Sequence, residues 1–435
     1  MSWLTTLFTE YLAAAITSRI GGHEGPSVCD RPLLPVAFDP PLAILSIESR
    51  SALRSAGSCP RSRIMSAYTN RPGLAREPLM KRRRHVAGVL GALATLLFLS
   101  AATRAHAATW FVADRGTDGA GCGVVSTTPC RSITQAIAHA IDGDTISVAP
   151  GRYGDRNRNG ILGEVGEENG PPACSCVLLV DKAVILISSV GAAVTLIDGR
   201  TVDVIRNVMI ADDGAEFGRP GKGFTVVETA YEPVNGSNHS DGIVIAANGV
   251  MVRGNQVLFN GGHLTTGNAA SSGGRGIHTG NQLHSVRIEG NLVTDWNIGI
   301  DGRHGITVSK NQVADNNTGI RADGGSVVGN VAVNNFVGID VTGSAIVTGN
   351  STYANSLAGF EVHGLFSGVI SKNNMFGNGC GVRNFVTGLA ATNNYWGAPK
   401  GPGAGPADSM CDIQFATSDV TPFATKPFAV KIVKP

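Results

Sequence analysis

An asparagine recurs about every 20 residues through the second half of this chain, and it constrains the fold more than any other feature. The repeating frame is Val or Ile, a variable residue, Gly or Lys, and then Asn. To this frame we assign Asn255, Asn291, Asn311, Asn330, Asn350, Asn373 and Asn393. A short fixed period indicates a solenoid, and runs rich in Val, Ile and Gly without helical spacing indicate short strands joined by tight turns. The sequence therefore predicts an all-β fold, a parallel β-helix with one coil per repeat.

The composition agrees with this fold. The 57 glycines exceed the usual share of about 7%, which suits a chain that turns several times in each coil. Aromatic residues make up only 6% of the chain, as expected if a narrow interior is filled by aliphatic side chains.

The N-terminal segment differs from the repeats. Residues 1–79 are rich in Ser, Arg and Pro without periodicity, which predicts a disordered leader or a start codon assigned too early. Residues 80–107 have a basic start at Met80, an apolar run and Ala105-His-Ala107, the three parts of a secretory signal peptide. The apolar run is shorter than the ~20 residues of a membrane span. Cleavage near Ala107 predicts a secreted or periplasmic protein with no stable membrane span.

Removal of this leader reverses the charge of the protein. The whole chain carries +2, residues 1–107 contain 13 Lys and Arg against 6 Asp and Glu, and the remainder therefore carries −5. A basic surface that attracts nucleic acid is not indicated. We expect a monomer.

Six cysteines follow the signal peptide, and an even number in an exported protein predicts disulfides. We expect Cys122–Cys130 to close a small loop and Cys380–Cys411 to join the last coil to the tail. For Cys174 and Cys176 a direct bridge is strained on one strand face, and metal binding by Cys-x-Cys is the competing interpretation.

The ends of the solenoid need caps, because open sheet edges invite association. A capping box beginning at Ser132 predicts a helix that carries Ile133, Ile137 and Ile141 on one face and ends at Gly143. We assign residues 108–170 to the N-terminal strand and capping helix, 171–400 to the coils, and 401–435 to the C-terminal cap and tail.

The repeated asparagines have a structural role. In coils stacked ~4.8 Å apart, each side-chain amide can donate to the next and form a buried ladder. We therefore assign Asn291, Asn311, Asn330, Asn350, Asn373 and Asn393 to structure rather than to chemistry.

The strand register also predicts two polar columns on one sheet. The residue after each Gly points inward, so the next one points outward. The first column is His278, Asp301, Arg321, Asp340, Glu361 and Arg383, and the second is Arg303, Asp323, Thr342 and His363. Two interpretations remain open. The columns are a surface ladder of ion pairs, worth little per pair, or they line a groove for a chain-like ligand, with a raised pKa on one of the like-charged neighbours Asp340 and Glu361.

Two further features could contribute to a binding face. The polar insertion Gly261–Gly274 is long enough to act as a lid. Trp296 follows a turn and could stack on a sugar ring, although an isolated tryptophan is ordinary.

One segment resembles a calcium loop. Asp155-Arg-Asn157-Arg-Asn159-Gly160 has the D-x-N-x-N-G opening of such loops, but the twelfth position is Gly166 rather than Glu. We predict a calcium site of Asp155, Asn157, Asn159 and Glu164, with an ion-free polar turn as the alternative. No other cofactor is expected.

Three stretches carry a resemblance to a known family: the segment 131–153, the asparagine repeat, and Asn394-Tyr-Trp-Gly397 with Gly401-Pro402. Together they resemble the secreted right-handed parallel β-helix proteins of the pectin-lyase-like superfamily. The resemblance implies a three-sheet solenoid and, commonly, polysaccharide as ligand or substrate. The catalytic motifs of polygalacturonases, pectate lyases and mannuronan epimerases are not matched; Arg303, for example, interrupts Gly-His-Gly at 302–305.

The sequence thus predicts an exported protein that binds, and in one version cleaves, extracellular or cell-envelope polysaccharide. As an enzyme it would be a polysaccharide lyase or a glycoside hydrolase, with a carboxylate or His as base and Arg holding a substrate carboxylate. The expected catalytic residues are Asp301, Arg303, His304, Arg321, Asp323 and Asp340, and the expected ligand-binding residues are His278, Glu361, His363 and Trp296. The alternatives are a non-catalytic surface scaffold or adhesion-type protein, and a periplasmic maturation accessory.

Overall fold

The structure is a computed structural model that describes residues 107–200, 204–228, 240–259, 274–403 and 405–430. The predicted leader 1–79, the signal peptide before residue 107, and the insertion up to residue 273 lie outside the described residues. Among the described residues, no helix has the length and apolar character needed to cross a membrane.

Three parallel sheets run along the chain, and each coil contributes one strand to each sheet. Sheet A contains β1 (Thr109–Val112), β2 (Thr145–Val148), β5 (Ile185–Ser188), β8 (Glu216–Phe217), β11 (Met251–Arg253), β14 (Arg287–Glu289), β17 (Thr307–Ser309), β20 (Ser326–Val328), β23 (Ile346–Thr348) and β26 (Val369–Ser371). Sheet B contains β3 (Gly151–Gly154), β6 (Thr195–Asp198), β9 (Thr225–Glu228), β12 (Gln256–Phe259), β15 (Leu292–Thr294), β18 (Gln312–Ala314), β21 (Val331–Val333), β24 (Ser351–Tyr353) and β27 (Asn374–Phe376).

Sheet C contains β4 (Cys176–Val180), β7 (Arg206–Ile210), β10 (Asp241–Ile245), β13 (Arg275–Thr279), β16 (Ile298–Gly302), β19 (Thr318–Asp323), β22 (Val337–Thr342), β25 (Ala358–Val362), β28 (Cys380–Asn384) and β30 (Met410–Asp412). A small fourth sheet pairs β29 (Leu389–Ala390) with β31 (Ser418–Asp419). The predicted three-sheet parallel β-helix is confirmed.

One inward column from each sheet fills the interior, and every residue in these columns is fully buried. The columns are Val208, Ile243, Ile277, Ile300, Ile320, Ile339, Phe360 and Val382 in sheet C, Val226, Val257, Val293, Val313, Ala332, Thr352 and Met375 in sheet B, and Phe217, Val252, Ile288, Val308, Val327, Val347 and Ile370 in sheet A. Burying each large aliphatic side chain contributes roughly 1.5–3 kcal/mol. From Ile243 onward a glycine precedes each sheet C core residue and is needed for space, since a Cβ at Gly319 would lie 2.5 Å from the carbonyl oxygen of Gly338.

The asparagine ladder is continuous from Asn255 to the last coil. Asn330 shows the repeated pattern: its Oδ1 accepts from the backbone N–H and the side-chain amide of Asn311 at 2.9 and 3.0 Å. Its Nδ2 donates to the carbonyl of Val308 at 2.9 Å and to Asn350 Oδ1 at 3.0 Å. The amide oxygen and nitrogen are therefore both satisfied in a fully buried position.

The assignment of Asn393 to this ladder was wrong by one residue. Asn394 is fully buried and its Oδ1 accepts from Asn373, whereas Asn393 is exposed. Asn393 has φ 58°, the left-handed conformation that Gly329 and Lys372 adopt just before the ladder asparagine in other coils. Asn tolerates this conformation better than most residues. Asparagine therefore occupies both the left-handed position and the ladder position in this coil, and the sequence did not show which of the two belongs to the ladder.

A second ladder was missed by the sequence analysis. Asn316, Asn335, Asn355 and Asn378 bond in series, and Asn378 donates to Asp408 Oδ2 at 2.6 Å at the C-terminal end. Each of these four residues follows a first-ladder asparagine by five positions, and that spacing was the signal that could have revealed it.

The N-terminal end is capped by helix α1 (Ile133–His139). Ser132 Oγ accepts from Gln135 N at 3.1 Å, as the capping box predicts. The helix ends at His139 rather than at Gly143, and Ile141 is 57% exposed instead of packed. Extended backbone at the C-cap residue Ala140 turns the chain away before Ile141 can join the apolar face.

Three disulfides join the six cysteines. Cys122 pairs with Cys130 and Cys380 with Cys411, the pairs expected from the sequence. Cys174 also pairs with Cys176, so these two residues form a disulfide rather than the Cys-x-Cys metal site that was the competing interpretation. The two residues do not share a strand face, because Cys174 precedes β4 and Ser175 has φ 44°, so the chain turns between them.

Candidate functional site

The outer face of sheet C carries the predicted polar columns. Strand register sets His278 beside Asp301, Asp301 beside Arg321, and Arg321 beside Asp340. The same column continues through Glu361 to Arg383. The period of the glycines therefore predicted correctly which residues are neighbours on this face.

Asp301 is the centre of the densest charge cluster on this face, and its side chain is almost completely buried. Arg321 binds it through two hydrogen bonds, Nε to Oδ1 at 2.9 Å and Nη2 to Oδ2 at 2.7 Å. Arg303 and Arg275 approach Oδ2 at 3.4 and 3.5 Å. Burial alone would raise the pKa of Asp301, but the hydrogen bonds and positive charge of Arg321, together with Arg303, hold it below its usual value. Asp301 is therefore favoured in its ionised form, in which it orients arginines, and it is poorly suited to accept a proton.

His278 lies beside this cluster, between two acidic residues. Its Nε2 accepts a hydrogen bond from Arg275 Nη1 at 3.1 Å, and its Nδ1 lies 3.6 Å from Asp241 Oδ2. Burial lowers the pKa of His278 to about 4, and the charge of Arg275 acts in the same direction against Asp241 and Asp301. The imidazole is therefore neutral, with its proton on Nδ1 because arginine can only donate to Nε2.

Asp241 and Arg275 were missed by the sequence analysis. Arg275 binds Asp241 through Nε and Nη2 at 3.0 and 3.1 Å. Both residues occupy the position directly before the glycine of their coil, in Asp241-Gly-Ile and Arg275-Gly-Ile. A comparison of the residues directly before each glycine, made in the same way as for the two predicted columns, would have revealed them.

Asp340 and Glu361 form a second acidic group further along the column. His363 Nε2 lies 2.5 Å from Asp340 Oδ1, and Arg383 Nη1 donates to Glu361 Oε2 at 3.2 Å. Burial raises the pKa of Asp340, and the like charge of Glu361 adds to this effect, while His363 and Arg321 oppose it. Asp340 is the carboxyl group in this face whose proton affinity is increased, which suits proton transfer better than the ionised Asp301 does.

The rest of the second column is more exposed. Asp323 accepts from Thr342 Oγ1 at 3.1 Å and lies 3.8 Å from His304 Nδ1. The side chains of His304 and Asp323 are 45% and 49% exposed. These two residues lie at the margin of the face rather than within the Asp301 cluster.

Trp296 does not contribute to a binding face. It is fully buried, its Nε1 donates to the carbonyl of Val257 at 3.1 Å, and its ring packs against Phe259. The prediction of a sugar platform was wrong, because Trp296 takes the first position of the second asparagine ladder, where its backbone N–H donates to Asn316 Oδ1 at 2.9 Å.

The predicted calcium residues lie elsewhere, in the loop that follows β3. Asp155 is fully buried, whereas Asn157, Asn159 and Glu164 are exposed. Nδ2 of Asn159 donates to Glu164 Oε2 at 2.9 Å. A cleft of about 540 Å³ lies against this loop and is lined by Arg131, Arg156, Asn157, Glu164, Val165 and Glu167.

The similarity of this chain to known proteins lies in its fold. No model of a protein family matches the chain, and no curated protein matches it. Among solved structures, it is similar to a periplasmic alginate epimerase, with 14% identity over 65% of this chain and 73% of that chain and a TM-score of 0.35. It is similar to the A-module of an Azotobacter vinelandii mannuronan C-5 epimerase, with 15% identity over 65% of this chain and 78% of that chain and a TM-score of 0.32. A pectate lyase, Pel9A, shares 12% identity over 73% of this chain and 78% of that chain, with a TM-score of 0.35. At these identities and TM-scores the similarity does not identify a function.

Proposed function

We propose that this protein binds an anionic polysaccharide along the outer face of sheet C. The observation that supports this proposal is a set of arginines on one face of the solenoid, each paired with a carboxylate. Arg275, Arg303, Arg321 and Arg383 project from this face, and buried or half-buried carboxylates hold each of them. A chain-like ligand laid along the solenoid axis would meet one residue of the first polar column in each coil, every ~4.8 Å. The column has arginine at positions 321 and 383 and a carboxylate at positions 301, 340 and 361.

The carboxylates favour this ligand by orienting the arginines in advance. Asp301 fixes Arg321 through paired hydrogen bonds, yet the Arg321 side chain is still 38% exposed. Arg303 keeps a similar exposure, at 37%, and its contacts with Asp301 are longer. A guanidinium group that is oriented but still accessible can bind a uronate carboxylate with little loss of side-chain freedom. Arg303 is the arginine that a ligand would capture most easily.

Export is part of the same proposal. The signal peptide predicted at residues 80–107 would deliver the chain to the periplasm or beyond. Three disulfides among the described residues suit an oxidising compartment. A polysaccharide of the cell envelope or of the surroundings would be available there.

The arginine face can be tested with one substitution and a matched control. We expect Arg303→Gln to weaken binding of an acidic polysaccharide by roughly 10- to 100-fold, since a charge-assisted hydrogen bond contributes about 1.5–3 kcal/mol. Arg287→Gln should have no effect beyond about twofold, because Arg287 is an exposed arginine on sheet A. Isothermal titration calorimetry with alginate and polygalacturonate, at low and high salt, measures both effects.

Three results would count against the binding proposal. They are equal losses of affinity in the two variants, no loss in Arg303→Gln, and equally tight binding of a neutral polysaccharide. Retained affinity at high salt would also contradict it, because exposed charge pairs are screened. Absence of binding throughout the panel would favour the non-catalytic scaffold or adhesion role, with the columns as an ion-pair ladder.

A second candidate function, proton transfer on the bound polysaccharide, is favoured by Asp340. Its pKa is raised, and arginines lie on both sides of the pair that it forms with Glu361. A base beside a substrate carboxylate that an arginine neutralises is the arrangement needed to remove the proton next to a uronate carboxyl group. In a lyase the electron pair of the broken C5–H bond forms a C4–C5 double bond, the C4–O glycosidic bond breaks, and the leaving oxygen takes a proton from solvent. A glycoside hydrolase does not remove this proton.

The pH dependence of such an activity follows from the groups that raise or lower the pKa of Asp340. As a base Asp340 must be ionised, so activity should rise as the pH increases through its raised pKa. Glu361→Gln removes a like charge and should move this rise to lower pH, whereas His363→Gln removes an opposing effect and should move it to higher pH. The release of unsaturated product, followed by ultraviolet absorbance across a pH series, measures the rise. If the pH profiles of Glu361→Gln and His363→Gln are both identical to that of the wild type, Asp340 is not the base.

A further inference from the structure

The loop after β3 folds around its own polar side chains. Asp155 Oδ1 accepts from Arg158 N at 2.7 Å, and its Oδ2 accepts from Gly160 N at 2.8 Å. Asn157 Oδ1 and Asn159 Oδ1 each accept from the backbone N–H two residues ahead, at 2.9 and 2.8 Å. Arg158 and Gly160 have φ values of 64° and 84°. The chain therefore turns sharply at the fourth and sixth positions, and oxygen-bearing side chains occupy the first, third and fifth positions, as in a calcium loop.

Glu167 supplies an independent sign of a missing partner. The residue is only 6% exposed, and its Oε1 accepts from the backbone N–H groups of Arg156 and Asn157 at 2.9 and 3.1 Å. Its other oxygen, Oε2, is buried and has no hydrogen-bond partner among the described residues. A buried carboxylate oxygen without a partner is costly, and Glu167 lines the cleft beside this loop. A bound cation would satisfy this oxygen.

Glu164, the acidic ligand expected from the sequence, fits this role less well. It is exposed, and its Oε2 already accepts from the side-chain amides of both Asn157 and Asn159. Glu167 follows the twelfth position of the loop by one residue, and its backbone contacts hold it against the second and third positions. A loop longer by one residue therefore brings a carboxylate against the second and third loop positions.

We propose that this loop binds calcium, with side-chain oxygens of Asp155, Asn157, Asn159 and Glu167 as ligands. Every donor is an oxygen, and the two carboxylates give a local charge that suits a divalent cation. Arg131 and Arg156 line the same cleft. Arg156 Nη2 pairs with Asp114 Oδ1 at 3.0 Å, whereas Arg156 Nη1 and Arg131 Nε are buried without a hydrogen-bond partner among the described residues, so a cation in this cleft would also face their positive charge. The site is separate from the polysaccharide face proposed for sheet C.

Calcium at this site would also stabilise the N-terminal cap. Glu168, the residue after the proposed ligand, is buried and accepts from Ile133 N at 2.7 Å, Thr134 N at 2.8 Å and Thr134 Oγ1 at 2.6 Å. These bonds hold the first turn of α1, whose Ile133 and Ile137 pack into the core. An ion that fixes Glu167 therefore also fixes the support of the capping helix.

The test compares two neighbouring glutamates in the full protein after chelator treatment and dialysis. Calorimetric titration with calcium chloride alone should give a dissociation constant on the order of 10⁻⁴–10⁻³ M, as in extracellular calcium modules. Glu167→Gln should weaken binding at least about tenfold, whereas Glu164→Gln should change it less than about threefold. About 10 mM calcium should raise the melting temperature of the wild type and of Glu164→Gln by a few degrees, and should raise that of Glu167→Gln by clearly less.

The opposite outcomes would overturn the proposal. They are no heat and no thermal shift in the wild type at about 10 mM calcium, loss of binding in Glu164→Gln but not in Glu167→Gln, and magnesium binding as tight as calcium binding, which would indicate screening of acidic groups. Should Glu167→Gln fail to fold, Asn159→Ala replaces it. Asn159 is exposed, so the Asn159→Ala variant should fold. Its affinity for calcium should be lower than that of the wild type, and an unchanged affinity would exclude this loop as the calcium site.

Discussion

Replacing Asn330 with alanine is expected to lower the free energy of unfolding by roughly 3–5 kcal/mol, because several buried polar groups lose their partners at about 1–3 kcal/mol each. The backbone N–H of Asn311, one hydrogen of its side-chain amide and the carbonyl of Val308 would all be left without the bonds that Asn330 provides. Water cannot replace these bonds, because Asn330 is fully buried within the stack. Urea denaturation of the variant and the wild type measures the difference. Polysaccharide binding should not change, since the ladder does not lie on the outer face of sheet C.

The chain provides a matched control for this prediction in two adjacent asparagines. Asn394→Ala should destabilise the last coil as strongly as Asn330→Ala destabilises a central one, because Asn394 bonds to Asn373 and to the carbonyls of Ile370 and Ala391. Asn393→Gly should change stability by less than about 0.5 kcal/mol, because Asn393 is exposed and glycine accepts its left-handed backbone. A similar loss in both variants would contradict the ladder register.

Replacing Asp301 with alanine is expected to destabilise the protein by roughly 3–5 kcal/mol, the cost of removing one partner from a buried ion pair. Arg321 would lose both of its hydrogen bonds to Asp301. Arg275 and Arg303 would remain close to Arg321 without the negative charge that offsets the repulsion among the three arginines. Affinity for the acidic polysaccharide should fall as well, because the arginines would no longer be held in position. Urea denaturation measures the stability, and calorimetry at a temperature where the variant is folded measures the affinity.

Asp323→Ala is the control for Asp301→Ala. Both are aspartates on the outer face of sheet C, but the side chain of Asp323 is 49% exposed, whereas that of Asp301 is 1% exposed. Exposed ion pairs contribute at most about 1 kcal/mol, so Asp323→Ala should cost no more than that. Equal costs for the two variants would mean that burial does not set the strength of this cluster.

Much of the fold was predictable because each coil repeats the same local physics. A left-handed position before the ladder asparagine, an inward aliphatic residue and a glycine that allows close approach all recur at fixed offsets, and the outward column on sheet C follows from them. The site was less predictable. Trp296 has the features of an exposed sugar platform in sequence, but it is the residue that starts the second ladder and is therefore buried. Asp241 and Arg275 were overlooked because their column lies on the other side of the glycine.

The period of the coils, the inward residue after each glycine and the neighbours along the column from His278 to Arg383 could all be predicted from the sequence. These properties depend on short-range conformational preferences and on the alternation of side chains along a strand, both of which are written into every repeat. The structure was needed to show that Asp301 is buried and has a lowered pKa, that the pKa of Asp340 is raised, and that Glu167 rather than Glu164 has an unsatisfied buried oxygen. Burial and pKa depend on which side chains from adjacent coils and loops cover a group, and the position of a residue within its own repeat does not specify that cover.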